Sequence, residues 1–294
     1  MEARDARVVV DVGGAALACD VAGALDGPVV ILAHGFPDCA RSFREQLPPL
    51  VAAGFRVVVP TMRGYAPSSI ARDGRYDAGA LGADLVGLAR HFAGDRRAML
   101  VGHDWGAIAA YAACALAPNA FCRVVTVAVP QLAATARNFA TRAQFRRSWY
   151  IGLFQLPFVA ERALAAHDFA LVDRLWRAWS PSFTPPPDEV RAVKHALRHR
   201  VADVLAYYRA IRDLRSPARA LLFAPTTVPA LYVHGRGDGC VGLEVCAGAE
   251  RGYGGPTPPL IRTLDGGHFV HQENGTEFNR LLMSFLQAPI ESSW

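Results

Sequence analysis

Apolar residues in this chain fall into two kinds of run. Residues 28–33 (PVVILA), 55–59 (FRVVV), 97–101 (RAMLV), 122–128 (CRVVTVA), 229–234 (PALYVH) and 259–264 (PLIRTL) are short and nearly continuous. That is the pattern of strands covered on both faces. Ahead of them, 7–12 (RVVVDV) and 15–20 (AALACD) are β-rich and separated by Gly13 and Gly14, which predicts an opening hairpin. Helix-compatible stretches run from Ala40 to Ala53, Ala78 to Phe92, Trp105 to Leu116 (closed by Pro118) and Thr276 to Gln287. The alternation predicts an α/β fold, a mostly parallel sheet flanked by helices.

The rhythm breaks over residues 131–217. This stretch holds no comparable strand run, only aromatics and arginines at helical spacing, interrupted by the proline cluster PSFTPPPDE at 181–189. The economical division is an α/β core formed by 1–130 and 218–294, with 131–217 as an inserted helical cap. No internal repeat or low-complexity tract is evident.

Composition narrows the class. The chain has 294 residues, 52% hydrophobic and 19% charged. That is enough apolar material to bury a full core and too little charge for a disordered chain. The net charge of +5 raises the question of nucleic acid, but its distribution argues against that partner. Lys194 is the only lysine, and the arginines are scattered from Arg4 to Arg280. The densest run, RAVKHALRHR at 191–200, reads as a solvated helix face. The six cysteines form no CxxC pair and imply no disulfide framework, which fits a reducing compartment. The N-terminal segment MEARDARVVV has no signal-peptide core. The longest apolar stretch, about 13 residues, falls short of the roughly 20 that span a membrane. The expectation is a cytoplasmic protein; the oligomeric state is open, a homodimer included.

Four motifs carry chemistry. VGHDWGAIAAY at 101–111 places an acid between two glycines where a strand gives way to a helix. This is nucleophile-elbow spacing with Asp104 in the position that serine holds in esterases. Small flanking residues permit the sharp bend, and the helix N-terminus keeps the carboxylate anionic. AHGFPD at 33–38 follows a buried strand and can aim the Phe36 amide at the same point as the Trp105 amide, forming an oxyanion hole. Pro37 stiffens that loop and is a candidate cis peptide. HGRGDGCV at 234–241 puts Asp238 on a glycine-rich loop after a strand, and GGHFVHQE at 266–273 does the same for His268. The order nucleophile, acid, histidine is that of the α/β-hydrolase triad, with His268 as base and Asp238 orienting it. His271 is the rival base and reads as structural; His34 and His103 line or buttress the site.

Together HGFPD, RGY at 63–65, GHDWGA, the Asp238 loop and GGH resemble the epoxide-hydrolase branch of the α/β-hydrolase superfamily, related to haloalkane and fluoroacetate dehalogenases that share an aspartate nucleophile. The resemblance spans the whole chain and is loosest in the insertion. It implies a helical cap and a two-step hydrolysis of an epoxide to a vicinal diol. Asp104 would form a covalent ester that water, activated by His268, then cleaves, with no cofactor and no metal. Within the insertion, SWYIGLFQLPFVAE at 148–161 resembles the segment whose tyrosine holds the epoxide oxygen, which places that role on Tyr150. LAYYRAI at 205–211 resembles the segment of the second tyrosine, mapping best to Tyr208 with Tyr207 as neighbour. His34, Pro37, Trp105 and Phe154 complete the expected substrate-binding set.

Some positions depart from relatives. Ile151 follows Tyr150 where some have a polar residue. Phe36 stands where many haloalkane dehalogenases have a halide-binding Asn, and Trp105 where fluoroacetate dehalogenases have Arg. The last two differences favour an epoxide over a halide. Two alternatives remain at this stage: a haloalkane or haloacid dehalogenase using the same Asp104, and a low-turnover ligand-binding protein on a hydrolase scaffold.

Overall fold

The computed structural model describes residues 6–213 and 215–289; the first five residues of the N-terminal reading lie outside them. One sheet holds eight strands in the order β1-β2-β4-β3-β5-β6-β7-β8. They are β1 (Ala6–Asp11), β2 (Ala16–Gly23), β3 (Val29–Ala33), β4 (Arg56–Pro60), β5 (Ala98–His103), β6 (Phe121–Val127), β7 (Ala230–Gly235) and β8 (Leu260–Leu264). β1 and β2 form the expected antiparallel hairpin, and β2 is also antiparallel to β4. All later pairings are parallel.

The continuous apolar runs are explained by position. Every residue of β3, β5 and β6 is buried, because helices cover both faces of the central sheet. Successive side chains still alternate between faces. Ile31 and Leu100 pack with Leu81 and Leu85 of the Ala78–Ala93 helix. Val30 and Val101 join Leu282 and Leu286 of the Gly275–Gln287 helix in the second core. Edge strand β8 is only partly covered and alternates between exposed and half-buried positions.

One local expectation is corrected. The stretch from Ala40 to Ala53 is not one helix: a single tight turn at Ala40–Phe43 precedes a short helix, Leu47–Ala52. Pro48 and Pro49 account for the break, since neither has an amide to donate, and prolines are tolerated only in a first turn.

Between β6 and β7, which are direct neighbours, the chain leaves the sheet and forms helices that include Trp149–Phe154, Pro187–Leu197 and Val201–Ala210. Val159–Trp179 is two helical stretches joined at Ala166–Phe169, where His167, Asp168 and Phe169 have positive φ. The basic run lies largely on the Pro187–Leu197 helix and finds carboxylates within the chain. Lys194 pairs with Asp173 at 2.9 Å and Arg198 with Asp168 at 3.1 Å. All six cysteines are free thiols. No helix among the described residues is long and apolar enough to cross a membrane.

Strand β3 lies between β4 and β5, so the chain winds outward from it in both directions. Parallel sheets open a crevice beyond the strand ends at such a switch point. The loops after β3, β5, β7 and β8 carry the four motifs read from the sequence.

Candidate active site

Strand β5 ends at His103, and Asp104 follows at φ 52°, ψ −117° before the Trp105–Leu116 helix begins. Such a conformation costs a non-glycine residue on the order of 1–3 kcal/mol. The surrounding backbone enforces it by close approach. A Cβ on Gly102 would lie 2.2 Å from the Gly106 carbonyl oxygen, and one on Gly106 would lie 2.0 Å from that of Ala33. Gly106→Ala should therefore lower stability by about 1–3 kcal/mol, the usual cost of overpacking, measurable as a fall in the denaturant midpoint.

The bend lifts Asp104 against the loop after β3. The Phe36 amide donates to Asp104 Oδ1 at 2.7 Å. Gly35 leaves room for this contact, since a Cβ there would sit 2.3 Å from Oδ1 and 2.6 Å from the Trp105 nitrogen. Gly35 therefore packs against both the Asp104 carboxylate and the Trp105 nitrogen. The Phe36–Pro37 bond is cis, and the Pro37 carbonyl accepts from the Trp176 indole at 2.8 Å. His34 commits both ring nitrogens to main chain: Nδ1 donates to the Gly35 carbonyl at 3.0 Å and Nε2 accepts from the Met62 amide at 3.1 Å. It buttresses the loop and offers no free atom to a ligand, which corrects its place in the expected substrate-binding set.

His268 faces Asp104 from the loop after β8. Its Nδ1 donates to Asp238 Oδ2 at 2.9 Å, and its Nε2 stands 3.6 Å from Asp104 Oδ2, beyond hydrogen-bond range. That nitrogen is buried and has no partner. The other Asp238 oxygen accepts the Cys240 and Val241 amides at 2.7 and 2.9 Å. Burial alone would lower the His268 pKa, but the Asp238 and Asp104 carboxylates outweigh it and raise it to about 10. Burial pushes Asp238 up in turn, and the His268 imidazole reverses this to hold it below the usual carboxylate range.

The rival histidine is occupied elsewhere. His271 Nε2 bonds Ser42 Oγ at 2.7 Å, and burial drives its pKa well below the ordinary value. His103 donates through Nε2 to the His268 carbonyl at 3.1 Å, so it braces the main chain that carries His268.

The insertion brings both candidate tyrosines over this floor. Tyr150 and Tyr208 are buried with ring centroids 5.7 Å apart. Tyr208 packs edge-on against Phe36, Trp105 and Phe154 at 5.4, 5.2 and 5.0 Å. The hydroxyls separate Tyr208 from its neighbour: Tyr207 donates to the Arg63 carbonyl at 2.7 Å, whereas the buried Tyr208 hydroxyl has no partner. Burial pushes the pKa of Tyr150 and of Tyr208 well above the ordinary phenol value, so both keep their protons.

Two further residues belong to the site. Trp179 ends the long kinked stretch of the insertion, and its carbonyl accepts the Gly239 and His268 amides, each at 3.0 Å. Its ring lies 4.9 Å from Tyr150 and 5.1 Å from His268. Cys240 places its sulfur 3.3 Å from the Tyr150 hydroxyl. Neither stood out in the sequence, where a tryptophan at a helix end and a cysteine in a glycine-rich loop carry no distinguishing pattern.

A strained aspartate that accepts a loop amide and faces an Asp-backed histidine, all at the strand ends of a mostly parallel sheet, is the arrangement of an α/β hydrolase. The profile of the alpha/beta hydrolase fold family matches residues 28–275. Epoxide hydrolase A of Mycobacterium tuberculosis is 31% identical, the match covering 95% of this chain and 96% of that protein. An AB hydrolase superfamily protein of Bacillus subtilis is 28% identical over 95% of this chain and 96% of its own. The crystal structure of epoxide hydrolase A from Mycobacterium thermoresistibile superposes with a TM-score of 0.83 at 29% identity, covering 97% of this chain and 99% of that one. The chain belongs to the α/β-hydrolase family, in its epoxide hydrolase group.

Proposed function

We propose that the chain hydrolyses a small-molecule epoxide to a vicinal diol in two steps, with residues 131–217 as the cap that supplies the oxygen-binding groups. The observation that carries this reading is the pairing of a carboxylate nucleophile with two buried, protonated phenols, one of them without a partner. An epoxide needs both: a nucleophile at carbon, and donors for the alkoxide that ring opening creates. Asp104 Oδ1 is held by the Phe36 amide, which leaves Oδ2 to attack. The C–O bond of the ring breaks, the Oδ2–C bond forms, and a tyrosine O–H passes its proton to the new alkoxide.

His268 then acts on the ester. In the resting enzyme two carboxylates hold its proton; esterification removes the charge of one of them. The imidazole becomes a weaker base, and its proton is free to return to the tyrosinate. Neutral His268 takes a proton from a water that attacks the Asp104 carbonyl carbon, while the Phe36 and Trp105 amides hold the oxyanion on Oδ1. Collapse expels the diol and restores the Asp104 carboxylate and the imidazolium. Protons balance over the cycle, and water is the only cosubstrate.

The functional test is a panel of terminal epoxides and haloalkanes offered to the purified chain. Diol formation from epoxides is expected; halide release with no diol would reject the reading. The pH dependence should differ between the two steps. Ester cleavage requires neutral His268, so its rate should fall as pH drops below the lowered pKa of the ester form. Ester formation needs no neutral base and should hold its rate there. Stopped-flow fluorescence of the tryptophans should therefore show the ester accumulating toward acid pH.

A further inference from the structure

We propose that the Cys240 thiol is a positioning residue for ring opening: it fixes the Tyr150 hydroxyl and supports it as hydrogen-bond donor to the epoxide oxygen. This rests on the epoxide reading above and adds to it a group on the acid loop that acts through the tyrosine. Cys240 Sγ lies 3.3 Å from the Tyr150 hydroxyl. It is the hydroxyl's one hydrogen-bond partner among the described residues.

The sulfur is held in place from several directions. The Cys240 amide donates to Asp238 Oδ1 at 2.7 Å, so the residue that orients His268 also carries the thiol. Gln144 of the insertion clamps the same loop: its side-chain amide donates to the Cys240 carbonyl at 2.8 Å, and its oxygen accepts the Gly242 amide at 2.9 Å. Gln144 and Cys240 are both buried. The Tyr150 ring is confined by Trp179 at 4.9 Å and Phe154 at 5.5 Å. Rigid elements thus hold both ends of the contact, and the bond joins the acid loop to the insertion.

Its chemistry follows from the proton inventory. A phenol and a thiol each have one hydrogen and can each accept one. When the Tyr150 hydrogen turns to the epoxide oxygen, the S–H can donate to the phenol oxygen. A chain of donors polarises in one direction, which strengthens the forward bond. As the phenolic O–H breaks and the alkoxide O–H forms, the thiol faces the developing phenolate and keeps its own hydrogen throughout. Tyr208 has no such support, so the two phenols are inequivalent.

The test uses the full-length chain in a His268→Gln background, where ester formation is read alone. Its rate is followed at saturating styrene oxide by quenched-flow intact mass spectrometry in four versions: otherwise unchanged, Cys240→Ala, Tyr150→Phe, and the two combined. Cys240→Ala should slow ester formation about 3–10-fold, the effect of one modest hydrogen bond, with little change in the epoxide concentration giving half-maximal rate. Combined with Tyr150→Phe it should add nothing, because the thiol acts only through that hydroxyl. Cys240→Ser, whose hydroxyl can donate to the same oxygen, should recover most of the rate. A slowing that multiplies with Tyr150→Phe, or an unchanged rate in Cys240→Ala, overturns this inference and leaves the epoxide reading standing. A Tyr150→Phe rate equal to the unchanged chain overturns both this inference and the role given to Tyr150.

Discussion

His268→Gln should turn the enzyme into a single-use reagent. Steady-state diol formation falls by about 10²–10⁴-fold, the contribution of a positioned general base. The protein gains the mass of one epoxide and keeps it. The reason lies in the geometry: His268 Nε2 stands 3.6 Å from Asp104 Oδ2 and without a partner, which suits a base that handles water after Asp104 has reacted. Gln fills much of the same space but cannot take the proton. Intact mass spectrometry of the variant after incubation with styrene oxide checks the outcome. The adduct should lie on the peptide carrying Asp104 and be lost in Asp104→Ala.

The tyrosines should show the second large effect. Tyr150→Phe and Tyr208→Phe each remove one donor to the opening ring, and loss of such a donor costs on the order of 10²–10³-fold. The double variant should form no detectable ester. Tyr207→Phe serves as the control: its hydroxyl is committed to the Arg63 carbonyl, so its loss should cost stability while kcat stays close to wild type. Comparing ester formation with the thermal midpoint in all four proteins separates the roles. A collapse of kcat in Tyr207→Phe with Tyr208→Phe unaffected would reverse the assignment.

Much of this site was legible in the chain because close backbone approach leaves a signature in residue type. Gly102 and Gly106 cannot carry a Cβ where they stand, and Gly35 must make room for Asp104. The β3, β5 and β6 runs read as buried strands because no alternation survives when both faces are covered. The helix expected at 40–53 failed where Pro48 and Pro49 imposed a boundary that apolar spacing does not record. Trp179 and Cys240 were not legible for a different reason. The Trp179 carbonyl is brought to His268 by the path of the insertion, and the Cys240 sulfur gains a partner only where that path lays Tyr150 against it; no local pattern encodes that path. His34 shows the converse: its place in HGFPD suggested a ligand, while its two nitrogens turn to the main chain. Tyr207 and Tyr208 are adjacent in sequence, and only the partners of their hydroxyls tell them apart.

The covalent ester is the claim on which the mechanism stands, and oxygen tracing reaches it directly. With enzyme in excess over styrene oxide in ¹⁸O water, one turnover should put the heavy oxygen into the Asp104 carboxylate and release a diol without it. Heavy oxygen in that first diol, with none in the protein, would mean that water opens the ring itself and that Asp104 never bonds to carbon.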